Sequence, residues 1–278
     1  MTLPTTVKQS ILRSFYIHTI TPGWKFDGCG PNEKHRQYLV EYDNVVEEIN
    51  LLPPQYVVVV LVLEFSSSMH FRYKNIIIDT VLKTGTGMAN YAHESATTGS
   101  IHIETVAEYD QYCHYAGGIT VLAASQIVAA SGQESISVDT NLELINSVGL
   151  FLQKSDIIRD YREDVDQQRY FWPREFWGQE GYGFKEITEM HNTDPDSLRR
   201  AMYVQSAMIL DALKHVTDTL DCLRMVKNQS LFHASAIVVV LSFVYLEFCF
   251  MNEEMFQRKT KMRKTVKVLV EYVTYSVV

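Results

Sequence analysis

The run Asn146–Asp164, NSVGLFLQKSDIIRDYRED, decides the fold. At 100° per residue on a helix, Gly149, Gln153, Asp156, Asp160 and Asp164 share one face, while Leu150, Ile157 and Ile158 point elsewhere and can enter a core. Aspartates stacked at i, i+4 and i+8 repel one another by about a few tenths of a kcal/mol per pair even when exposed. Such a stripe has two readings. One is a solvated acidic face. The other is a carboxylate face for hard divalent cations that in turn hold phosphates, because Mg²⁺ usually takes one or two carboxylates plus phosphate oxygens. The apolar flanks and the neutral Gln153 favour a lined cavity.

Outward from this run, the segments 75–95, 104–131, 137–164, 196–226 and 230–251 are all helix-compatible. Gly132, Trp172-Pro173 with Gly178, and Asn192 to Pro195 mark the loops between them. No repeat and no Pro/Ser linker divides the chain, which predicts one mainly helical domain over 1–278. Residues 57–73, VVVVLVLEFSSSMHFRY, do not fit. A β-branched run followed by three serines reads as a short strand or an apolar loop insertion. Its 17 residues correspond to 51 in-frame bases, and valine codons begin with GT, so a retained intron is a third reading.

Composition narrows the function classes. Apolar residues make up 46% and charged residues 21% of the 278, ordinary globular usage that rules out a disordered chain or a coiled coil. The net charge of -8 gives no support to nucleic acid as a partner. Cys29, Cys113, Cys222 and Cys249 form no CxxC pair and read as reduced, mostly buried thiols. The N-terminus lacks a charged start followed by an apolar core, so it is not read as a signal peptide. Ala236 to Met251 contains Glu247 and falls short of the roughly 20 apolar residues of a spanning helix, so it reads as a buried core helix with marginal membrane character. His114 has no second His or Cys at metal-ligand spacing and reads as structural.

Several stretches together carry a resemblance. GLFLQKSDIIRDYRED with FWPREFWG (Phe171 to Gly178), YCHYAGG (Tyr112 to Gly118), GTGMANY (Gly85 to Tyr91), LRMVKNQS (Leu223 to Ser230) and KMRK (Lys261 to Lys264) occur in the order seen in squalene synthases, especially fungal ones. The resemblance runs from about Thr2 to Lys264, broken by 57–73. It implies an all-α isoprenoid synthase fold with helices around a central cavity. The implied reaction is head-to-head condensation of two farnesyl diphosphates into presqualene diphosphate, followed by NADPH-dependent reduction to squalene. Mg²⁺ then bridges the diphosphate to two aspartate-rich motifs, the second of which maps onto Asp160 and Asp164 with Glu163 beside them. Tyr112 matches the tyrosine that handles a proton or cation. Gln153, Asp156 and Arg159 match positions facing substrate or cofactor, and Lys261, Arg263 and Lys264 match a basic segment near the NADPH phosphate.

The same resemblance defines departures. The first aspartate-rich motif, of DxxED type, is expected upstream of Met1, so the chain reads as N-terminally truncated; the C-terminal membrane anchor is expected beyond Val278. Asp156 stands where an asparagine is usual, and Ala234 where an aromatic lines the second-step pocket. The resemblance implies a monomer at the cytosolic face of the endoplasmic reticulum membrane, or a soluble cytoplasmic protein if the anchor is absent. Two alternatives stand beside it: a catalytically impaired relative that still binds prenyl diphosphates or partners, and a phytoene synthase-like transferase.

Overall fold

Helix-compatible sequence folds as helix almost throughout. A computed structural model describes residues 5–31, 36–51, 68–132, 134, 141–178 and 182–259. In chain order the helices are α1 (Thr5–His18), α2 (Arg36–Val40), α3 (Tyr42–Leu51), α4 (Ser68–Thr98), α5 (Val106–Cys113), α6 (Ile119–Ala130), α7 (Leu142–Arg159), α8 (Tyr161–Asp166), α9 (Arg174–Trp177), α10 (Pro195–Leu213), α11 (Val216–Met225), α12 (Gln229–Cys249) and α13 (Glu254–Gln257). A π-helical turn, His114–Gly118, joins α5 to α6. Two two-residue strands, β1 (Ile101–His102) and β2 (Arg169–Tyr170), pair in parallel, Ile101 opposite Arg169. The described residues group into two compact units, one within Met1–Thr97 and Ala123–Gln133, the other within Thr98–Leu122 and Glu134–Val278.

In the first unit, Trp24 stacks on His18 at 4.5 Å and meets Phe15 and Tyr42 edge-on at 5.4 and 5.5 Å. Gly85, in the GTGMANY stretch, lets α1 lie close to α4, because a Cβ there would come 2.5 Å from the Leu12 carbonyl oxygen. The apolar start of the 57–73 stretch lies outside the described residues, whereas Ser68 to Tyr73 open α4 rather than continue a loop.

The second unit is organised by α7, which packs against α5, the π-helical turn, α10, α11 and α12. Leu150, Ile157 and Ile158 are buried as the sequence predicts, and so are Ile145 and Phe151. Caps read from sequence chemistry set the neighbours. Asp194 accepts from Ser197 N at 2.9 Å ahead of Pro195, which starts α10. Asn228 accepts from Ser230 N and Leu231 N at 3.0 and 3.2 Å, so the Asn-Gln-Ser triplet serves as the N-cap of α12.

Two predicted helices divide. The single helix expected over 137–164 breaks at Asp160, whose φ of -91° and ψ of 8° leave the helical region. The bonds from Asp160 N to Asp156 O and from Asp164 N to Asp160 O both hold at 2.9 Å, so the axis bends without losing register. The 196–226 segment divides into α10 and α11 at Lys214-His215. The helix expected over 230–251 is α12, and its 21 residues are long and apolar enough to cross a membrane, as are those of Val106–Ala130, by length and composition alone, although the 236–251 stretch on its own is too short. One stripe of α12, including Ala236, Val239, Leu246 and Cys249, is buried, and Phe243 meets Phe151 of α7 at 5.0 Å; Val238, Val240 and Phe248 are exposed.

The π-helical turn sits directly on α7. A Cβ on Gly149 would come 2.5 Å from Gly118 Cα and 2.7 Å from Gly118 N, and one on Gly117 would meet Gly149 O at 2.7 Å. Both sides of this contact are backbone and cannot yield by a rotamer change. Gly149→Ala is therefore expected to destabilise the chain by about 1–3 kcal/mol, the usual cost of overpacking. Chemical denaturation with unchanged m-value is the check.

Candidate active site

The acidic face emerges where α7 bends into α8. At the last residue of α7, Arg159 donates from Nε to Asp160 Oδ1 at 2.8 Å and from Nη2 to Oδ2 at 2.7 Å, a bidentate pair. Its Nη1 reaches Asp156 Oδ1 at 2.6 Å. One guanidinium thus lies between two carboxylates a helical turn apart, and it also lies 4.6 Å over the ring of Tyr245 from α12. Burial pushes the Asp156 carboxyl up and Arg159 opposes it. The bond to Asp160 leads the effects that hold Arg159 protonated.

Asp164 turns the other way. Its side chain is only 10% exposed and accepts from Arg169 Nη2 at 2.5 Å and Nε at 3.1 Å. Burial nevertheless pushes this carboxyl up to about 6 against the pull of Arg169. The β1–β2 pairing fixes Arg169, because Ile101 N donates to Gln168 O at 3.1 Å and Ile101 lies opposite Arg169. Arg169 then lies 5.9 Å from the Phe171 ring, and Phe171 packs on Tyr112 at 4.6 Å with the rings tilted by 31°. Tyr112 is thereby brought one aromatic layer from the Arg169–Asp164 pair.

The remaining predicted residues divide. Gln153 lies beside the π-helical turn, within 2.8 Å of where a Gly117 Cβ would be. Glu163 points to Lys259 at 3.3 Å and does not join Asp160 and Asp164. Among the described residues no group of three or more His, Cys, Asp or Glu side chains is close enough to hold a metal ion. Lys261, Arg263 and Lys264 lie outside the described residues. His114 is structural, its Nδ1–H donating to Asn146 Oδ1 at 2.7 Å. The FWPREFWG stretch is a plug: Trp172 is 1% exposed against Tyr161, and Trp177 donates to its carbonyl at 2.8 Å. Cys113 and Cys249 are buried free thiols, the latter pushed up to about 12 by burial.

Sequence reasoning missed Arg169 and Tyr245. Arg169 follows the acidic run closely enough to have been suspected. Tyr245 gave no signal inside an apolar helix.

This arrangement can be set beside known proteins. The family model for squalene/phytoene synthase matches residues 27–266. The chain belongs to the squalene/phytoene synthase family. It is 44% identical to the squalene synthase of Ganoderma lucidum over 95% of this chain and 54% of that protein. It is 38% identical to that of Mycosarcoma maydis over 96% of this chain and 46% of that one. It spans about half the length of these relatives. The solved complex of TcSQS with the ligand BPH1237 matches it with a TM-score of 0.81 at 27% identity, covering 98% of this chain and 72% of the other. The all-α isoprenoid synthase fold and the resemblance to fungal squalene synthases are therefore borne out.

The opposing effects on Asp164 generate a measurable expectation. Carboxyl ¹³C NMR of the metal-free protein should find Asp164 titrating at about 6. Arg169→Met should move that midpoint further up, since it removes the one partner that favours the charged form. A midpoint unchanged by Arg169→Met would mean that the pair does not exist in solution.

Proposed function

We propose that this chain catalyses the squalene synthase reaction, the head-to-head condensation of two farnesyl diphosphates through presqualene diphosphate. The observation that carries the reading is the pair of arginine-held carboxylates at the α7–α8 junction: half-exposed Asp160 on Arg159, and Asp164 on Arg169, whose guanidinium lies over Phe171, the ring packed on Tyr112. The curated fungal relatives named squalene synthase favour it over a phytoene synthase-like reaction.

Arg159 already lies in the site, partly desolvated and with its donors in a fixed fork, so an arriving diphosphate can take over hydrogen bonds now made to Asp156 and Asp160. Asp160 and Asp164, released from full pairing, are the carboxylates that would hold Mg²⁺, with Glu163 one residue away. Two carboxylates would leave most of such an ion's shell to water and phosphate oxygens, so a diphosphate would strengthen its binding there. When bound, the ion supplies Lewis acidity to the departing diphosphate. Tyr112 can hold or take a proton at its phenol oxygen, and its ring face, like that of Phe171, favours positive charge on the prenyl chain.

The NADPH-dependent reduction rests on the family alone. Among the described residues Arg159 is the one predicted cation facing the site, and its charge is matched by two carboxylates, so they form no cradle for dinucleotide phosphates. One functional domain is supported by a family match that crosses both compact units. Association with the endoplasmic reticulum membrane, for which the length and apolarity of α12 speak, and a monomeric state are part of the proposal.

The second reading, a relative that binds prenyl diphosphate without turnover, is favoured by the same arginines and by the absence, among the described residues, of a carboxylate cluster of three. Incubation of the full chain with farnesyl diphosphate, Mg²⁺ and NADPH, with product analysis by gas chromatography, separates the two. Squalene or presqualene diphosphate should form, and Asp160→Asn should lower the rate by about 10²–10³-fold, the scale of losing one electrostatic group at a reacting centre. No product from the wild-type chain would favour the binding protein.

A further inference from the structure

Lys154 lies within the decisive run yet takes no part in the acidic face. Its side chain is 1% exposed; Nζ donates a hydrogen bond to Asp211 Oδ2 of α10 at 2.6 Å and forms an ion pair, without hydrogen-bond geometry, with Asp110 Oδ1 of α5 at 2.5 Å. Its ammonium also lies 5.3 Å from the ring of Tyr109. Asp211 pairs in turn with Lys214 at 2.7 Å, so two cations balance two carboxylates. Burial alone would push the Asp211 carboxyl up, but hydrogen bonds from Lys154 and Lys214 hold it below the ordinary range. Packing does not require this arrangement, because a methionine of similar length would fill the same space without desolvating a charge.

The two arms of Lys154 differ. The Asp211 arm is buried on both sides and ties α7 to α10. The Asp110 arm is partly open, Asp110 being 44% exposed, and reaches α5. On α5 the buried stripe is Tyr109, Tyr112 and Cys113, so the ring beneath Lys154 is one turn from Tyr112. The contact of Gly117 and Gly118 with Gly149 fixes how near this part of the chain comes to α7. It does not by itself fix how far α5 slides along the axis. On α7, Lys154 precedes Asp160 by about 9 Å of helix rise, so any slide of α5 at Lys154 changes the offset between Tyr112 and Asp160.

We infer that Lys154 is a positioning residue. Through Asp110 it fixes the register of Tyr112 against the carboxylate end of α7, while Asp211 anchors the lysine itself. This inference rests on the function proposed above. The two arms then contribute to different properties: the Asp211 arm to stability, and the Asp110 arm to the rate of the chemical step.

The test compares Asp110→Asn, Asp110→Glu and Asp211→Asn in the full chain, measuring kcat and KM for farnesyl diphosphate alongside Tm. Asp110→Glu keeps the charge and lengthens the arm by one methylene. Both Asp110 variants should lose about tenfold or more in kcat, the scale of a sub-ångström to 1 Å misplacement, with KM changed by less than about threefold. Asp110→Glu should keep the wild-type Tm. Asp211→Asn should lower Tm the most and leave kcat within about threefold while folded. Losses of kcat that follow losses of Tm across the three variants would overturn the inference and mark a structural ion pair. A wild-type chain without turnover would instead overturn the proposed function, and the inference with it.

Discussion

Carboxylates gathered at one helix end must be neutralised before that end can pack, and the second unit is arranged around this constraint. Asp156 and Asp160 share Arg159, and Asp164 takes Arg169. Asp110 and Asp211 converge on Lys154. Each cation comes from, or is fixed by, a different part of the fold: the last turn of α7, the β1–β2 pair, and the middle of α7. Where the balance lies deep, at Lys154 and Asp211, loss of one partner would cost about 3–5 kcal/mol. Where it lies near solvent, at Arg159, the pairing is weak enough to be exchanged for another anion. Under the proposed function, that gradient from fixed to exchangeable pairs would let the helix end bind a ligand.

The helical architecture and most of the acidic face were legible in the sequence. Leu150, Ile157 and Ile158 entered the core as their spacing required, and Asp194 and Asn228 cap the helices they precede. The break at Asp160 was not legible, since no glycine or proline announces it and the hydrogen-bond register continues through it. Nor was the neutralisation of Asp164, which depends on Arg169 being held by a strand pair formed with residues near position 101. Local periodicity carries no information about partners so far apart. The buried Lys154 was hidden for a related reason: a lysine between Gln153 and Ser155 reads as solvated until α5 and α10 bring carboxylates to it. Tyr245 was masked by the apolar run around it.

Two kinds of contact share the work of holding Tyr112 near the acidic end. The glycine contact between the π-helical turn and α7 sets distance, because backbone meets backbone there. On the inference drawn for Lys154, its charge pairs and the Arg169–Phe171–Tyr112 layer set register. Family membership accounts for the fold, and under the proposed function the arginine at the joint is the group that would yield its carboxylates to a metal-bound diphosphate.

The most direct measurement is Mn²⁺ binding to the full chain, followed by electron paramagnetic resonance, with and without farnesyl thiodiphosphate. The account expects weak binding of Mn²⁺ alone, since Arg159 and Arg169 occupy the carboxylates, and binding tighter by about tenfold or more when the diphosphate analogue is present, a coupling within the usual range for linked ligands. Equal Mn²⁺ affinity in both conditions would contradict it.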